Sequence, residues 1–203
     1  SSWRFSTFVP ITKYNESYSR DLNVYLHVDY GWGDGKYAII RRLMDQEKAQ
    51  IMNVWMVRAG VMKGWSIGEN SGDYTEEMVF GEVHKRFPLP GNILLSHRFR
   101  ADTRWLGQEN DFSYRFRYRV MLEKEYKWGK SSIVPYINFE PYWDSRYTKI
   151  VKTRLIAGAT TTWRDRYAIE GNLTYQYDET YTTENLYAVN VILHIFLEKN
   201  QAK

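Results

Sequence analysis

The sequence has no cysteine. That excludes disulfides and thiolate metal sites, and it suits an envelope protein that is stable without cross-links. No stretch approaches the roughly 18 apolar residues of a spanning helix, so a helical membrane protein is excluded. The four histidines, His27, His84, His97 and His194, show no metal-ligand spacing such as HExxH, and no metal or other cofactor is expected. Phosphate-binding glycine loops are missing too: Gly31, Gly33 and Gly35 read as turn glycines. Nothing resembles a linker, so residues 1–203 are expected to form one domain. Nor is there a basic block. The net charge of +4 comes from lysines and arginines set at alternate positions among carboxylates, so nucleic acid is not an expected partner.

What the chain does have is aromatic residues, 17% of the total, with 17 Tyr and 8 Trp. It also has long stretches of period-two alternation, clearest between Asn92 and Trp128. There Ser96, Arg98, Arg100, Asp102 and Arg104 alternate with Leu95, Phe99, Ala101 and Trp105. After a turn at Gly107–Asp111, Ser113, Arg115, Arg117 and Arg119 alternate with Phe112, Tyr114, Phe116 and Tyr118. Successive strand side chains point to opposite faces, so each arm has one apolar-aromatic face and one charged face. The arms exceed the usual five or six residues of a soluble strand and match the roughly nine to eleven of a membrane-crossing one.

The same pattern recurs on both sides of this hairpin. It predicts strands over Trp3–Pro10, Asp21–Gly31, Met52–Trp65, Tyr74–Phe87, Ile133–Asp144, Val151–Arg164, Tyr167–Asp178 and Tyr187–Phe196. Connections alternate between short and long, the habit of barrels with short periplasmic turns and longer outer loops. Trp128 and Trp163 then fall at the periplasmic boundary, and Trp65, Trp105 and Trp143 at the outer one, as two aromatic girdles. The expectation is a closed antiparallel transmembrane β-barrel of about ten strands, with twelve as the alternative. Residues 36–50 are left over, and their Arg41-Arg42…Asp45…Glu47-Lys48 pattern reads as a partly helical periplasmic insertion or a contact for a periplasmic partner. A soluble barrel of lipocalin type is the competing fold; it would bury the apolar face and expose the charged one.

The stretch Ser96-His97-Arg98-Phe99-Arg100 with Asp102 and Arg104, then Tyr114-Arg115-Phe116-Arg117-Tyr118-Arg119, then Pro135-Tyr136 with Glu140, resembles a family of small bacterial outer-membrane β-barrels of uncharacterised function. The likeness extends over about Glu77 to Phe196. It implies a barrel in a Gram-negative outer membrane and carries no substrate or catalytic residues. If the protein is exported, a chain beginning at Ser1 is expected to be the mature form.

Functional candidates lie on the charged face. Turn positions predict that Arg98 pairs near Arg119, Arg100 near Arg117, and Asp102 near Arg115. They also bring Glu140 near Arg119 and Arg154, and Asp144 near Arg115. With Arg104, these residues would form a lumen cluster in which cations and carboxylates nearly balance. Such a ladder plugs a narrow barrel, and the expected role is a structural or interaction subunit, with outer-membrane lipid and an envelope protein as partners. A narrow anion-preferring pore or anionic-ligand site is the alternative, because arginine rings line anion pores. An outer-membrane lipid-modifying enzyme is the third reading. It is disfavoured because neighbours Ser96 and His97 point to opposite faces, out of nucleophile–base reach. The protein is therefore expected not to be an enzyme.

Overall fold

A computed structural model describes residues 2–9, 11–13, 20–35, 52–67, 75–107, 111–129, 131–163, 167–179 and 184–195. They form β1 (Ser2–Phe8), β2 (Ile11–Lys13), β3 (Arg20–Gly35), β4 (Met52–Ile67), β5 (Thr75–Leu89), β6 (Ile93–Leu106) and β7 (Asp111–Lys124). These are followed by β8 (Tyr126–Trp128), β9 (Ser131–Asp144), β10 (Lys149–Trp163), β11 (Tyr167–Asp178) and β12 (Glu184–Ile195). All pair antiparallel in one sheet, in the order β1-β3-β4-β5-β6-β7-β9-β10-β11-β12, with β2 also beside β3 and β8 beside β9. Two of the twelve segments are continuations. β1 and β2 pair with β3 in a single register, and so do β7 and β8 with β9, so the sheet has ten strands in physical terms.

Closure is where the expectation fails. β1 and β12 stand at the two ends of the strand order, and among the described residues neither pairs with the other. The sheet is open, so the closed barrel is overturned. Alternation records which side of a strand is apolar. Whether the last strand meets the first depends on twist and stagger summed over the whole sheet, which alternation does not report.

The open sheet nevertheless curls around its charged face. Arg98 on β6 reaches Glu140 on β9, and Tyr136 on β9 reaches Glu170 on β11, each across an intervening strand. The Tyr25 ring on β3 meets Phe80 on β5 edge-on at 6.2 Å. Burial follows the same sense. On β5, Glu76, Met78, Phe80, Glu82, His84 and Arg86 are buried, while Val79, Gly81 and Val83 are exposed. Met62, Met78 and Phe80, with Tyr25 against them, form a small apolar core on this concave face. Gly60 admits it, since a Cβ there would lie 2.6 Å from the Phe80 ring.

Local departures from the expected strands have local causes. Gly31–Gly35 was expected as a turn, but pairing continues through it, with Trp32 stacked on Trp55 at 6.3 Å. Only Gly33, at φ +81°, uses a glycine's freedom there. Pro141 in β9 lacks the N–H a ladder needs, and the paired positions between β7 and β9 pass from Arg117/Tyr142 to Val120/Phe139. Between Ile150 and Lys152 the β9–β10 register shifts at a bulge, which tucks Val151 inside although the alternation predicted it outside. Gly35 pairs with Met52 at the rim of the short turns. The expectation for 36–50 itself lies outside the described residues.

Candidate functional site

The concave wall is built mainly by β5, β6, β7, β9 and β10, and its register is the one the turn positions predict. Arg98 lies opposite Arg119, Arg100 opposite Arg117, and Asp102 opposite Arg115; Arg115 in turn lies opposite Asp144, and Glu140 opposite Arg154. Guanidinium groups facing one another across a ladder repel, so acceptors must stand between them.

Asp102 is the principal acceptor. It is 1% exposed and accepts hydrogen bonds from three arginines: Arg100 Nε at 2.5 Å, Arg115 Nε at 3.0 Å, and Arg117 Nε and Nη2 at 3.0 and 2.6 Å. Glu82 is the second. Arg100 Nη1 and His84 Nε2 each lie 2.8 Å from it, and Arg58 and Arg98 lie 3.6 and 3.7 Å away. Arg58 also binds Asp29 through Nε at 2.6 Å. Arg104 bridges Glu76 and, at 3.2 Å, Asp144, which also holds Arg146.

The turn positions bring Glu140 near Arg119 and Arg154. It takes a narrower part, accepting from Arg98 and, at 3.0 Å, from the Tyr142 hydroxyl. Arg119 is within electrostatic reach of it. Arg154 lies beside Glu140 in register but turns to the neutral Gln176, whose Oε1 accepts its Nε and Nη2 at 3.0 and 2.6 Å.

Tyr142 is 3% exposed, and four cations stand over its ring. Arg117 is 5.3 Å from the centroid, Arg154 5.4 Å, Arg115 5.8 Å and Lys152 5.9 Å. Lys152 is paired with Asp178 at 2.7 Å. A cation over a tyrosine face is attracted by the ring quadrupole, and the attraction grows on desolvation.

Residues 14–187 match the family described as Protein of unknown function (DUF2490). The chain belongs to that DUF2490 family. The match starts well before Glu77, so β3 and β4, left outside the earlier likeness, belong to the shared domain. No curated protein and no solved structure matches this DUF2490 chain.

The remaining candidates can be placed on this DUF2490 fold. Trp65, Trp105 and Trp143 sit near the ends of β4, β6 and β9 at one rim, while Trp128 ends β8 at the opposite rim, 85% exposed. Trp163 ends β10 at that second rim; its side chain is outside the described residues. Ser96 is buried on the concave face, while His97 contacts the Tyr118 hydroxyl on the convex one. No group of three or more metal-ligating side chains occurs among the described residues. Glu82, His84, Asp29 and Arg58 were missed in the sequence. On β5 the apolar Met78 and Phe80 share the inner face with Glu82 and His84, which blurs the alternation.

Proposed function

We propose that the protein is a structural or interaction subunit of a bacterial outer membrane, with its convex face against lipid and its concave face held rigid by ion pairs. One observation carries the reading: the burial of the two faces is inverted relative to a water-soluble sheet. Acidic Asp102 and Glu82 are buried, whereas Phe99, Phe139 and Val191 are 47%, 49% and 76% exposed. Contiguous apolar surface of this kind is rare on a soluble monomer. Outward charge is confined toward the strand ends. On β5, Glu77 and Lys85 flank Val79, Gly81 and Val83, with Lys63 beside Glu77 and the Lys85 ammonium 4.4 Å from the Trp55 ring. Eight residue steps cover about 27 Å of strand, of the order of the roughly 25 Å apolar band of an outer-membrane protein.

An open sheet has two edges, and unpaired N–H and C=O groups are costly in hydrocarbon. The reading therefore assigns β1 and β12 to pairing with a strand from a partner protein, which makes the chain an interaction subunit. The test is the solubility of the purified, folded protein. A need for detergent or lipid, with tryptophan fluorescence quenched by brominated acyl chains, is expected. A monodisperse folded protein in plain buffer overturns the membrane assignment.

A further inference from the structure

We infer that the cationic cup around Tyr142 binds a phosphate-type oxyanion. The inference goes beyond the membrane assignment and does not rest on it, because it depends only on the concave wall. Arg115, Arg117, Lys152 and Arg154 all lie within 6 Å of one ring. Their carboxylate partners do not match them in number or position. Arg115 and Arg117 share one oxygen of Asp102, whose other oxygen holds Arg100. Arg154 has no carboxylate hydrogen-bonded to it among the described residues, only the Gln176 amide oxygen.

Depth separates Asp102 from the arginines it holds. The Asp102 side chain is sealed at 0% exposure, whereas those of Arg117 and Arg115 are 14% and 17% exposed. Lys152, 23% exposed, keeps Asp178 beside it at 15%. An arriving anion thus meets the Arg115 and Arg117 guanidinium groups before the carboxylate that holds them. Guanidinium groups match a phosphate's oxygens with paired N–H donors, and charge-assisted bonds of this kind are roughly twice as strong as neutral ones. Gln176 then serves as an exchangeable acceptor, holding Arg154 in place until an oxyanion takes its N–H groups.

The experiment is a calorimetric titration of the purified full chain with inorganic phosphate at low ionic strength, with phosphatidic acid in mixed micelles as a second arm. Saturable binding of inorganic phosphate is expected, and binding in the lipid arm alone would identify the source as a headgroup. Arg154→Gln is expected to weaken binding about tenfold or more, and Lys149→Gln, an exposed pair with Glu179 away from the cup, to leave it unchanged. Gln176→Glu guards against a folding defect. It keeps the side chain's size and gives Arg154 a carboxylate, so it should keep the fold and lose the anion. Absence of saturable binding in both arms, equal affinities of Arg154→Gln and Lys149→Gln, or undiminished affinity in Gln176→Glu overturns the inference.

Discussion

The wall from β5 to β9 and the strand β12 belong to one antiparallel sheet, yet they behave differently. In the wall, inward arginines such as Arg98, Arg100 and Arg104 reach carboxylates on a neighbouring strand or the one beyond, and the inward positions around them are buried. On β12 the inward positions hold Leu186, Ala188, Asn190 and Ile192, and every described side chain is exposed on both faces. Asn190 bonds Asn172 at 2.8 Å on β11, and no strand pairs beyond it among the described residues. Strand pairing alone therefore does not create an inside. An inside forms where side chains are long enough and complementary enough to span the concavity.

The largest expected effect tests that distinction directly. Asp102→Asn leaves half-buried Arg115 and Arg117 without their carboxylate and Arg100 with Glu82 alone, at a cost of about 3–5 kcal/mol. Asn190→Ala on β12 is expected to cost under about 1 kcal/mol, the net worth of one exposed hydrogen bond. Denaturant unfolding of both variants in detergent micelles checks it, and equal losses would erase the difference between the two regions.

Next come the convex faces. If β7 and β12 both meet lipid, Tyr118→Arg and Val191→Arg should each destabilise the membrane-inserted protein by about 2–4 kcal/mol near the bilayer midplane. A penalty at Tyr118 with none at Val191 would place β12 outside the hydrocarbon.

Glu140→Gln sharpens the ranking within the wall. It weakens one charge-assisted bond, from Arg98, for a loss of about 1.5–3 kcal/mol, smaller than for Asp102→Asn. A thermal melt showing the reverse order would make Glu140, not Asp102, the principal acceptor.

The smallest effect belongs to the loop. Hydrogen bonds from Lys149, at 2.6 Å, and from Tyr177 hold the Glu179 carboxyl below its ordinary range. A depressed carboxylate adds stability above its unfolded-state pKa and loses it as the pH falls through the folded value. Melting curves of Glu179→Gln and the parent should thus converge on acidification, from a small difference at neutral pH.

Much of the register was legible because it needs only turn positions and a period of two. The Arg98/Arg119 and Arg154/Glu140 pairs follow from that arithmetic. Partner choice was not legible. Asp102 outcompetes Glu140 because it sits on the same strand face as Arg100 and opposite Arg115, where its short side chain is held between the guanidinium groups. Arg154 selects Gln176 across the next ladder, a preference set by packing rather than by spacing. Closure, too, lay beyond any local pattern.

The bulge at Val151 has a consequence for how such a chain can change by insertion and deletion. A strand with two chemically opposite faces tolerates gain or loss of residues in pairs, because a single residue exchanges every side chain downstream between the faces. In β10 one supernumerary residue is already absorbed, and it brings Lys152 opposite Tyr142. Deleting Val151 would remove the bulge and leave Ile150 opposite Trp143 and Lys152 opposite Tyr142 in plain alternation, whereas deleting any paired residue of β10 would exchange the faces on one side of it. The bulge thus acts as a phase adjuster, the place in the β9–β10 hairpin where an odd change in length has been reconciled with an even code.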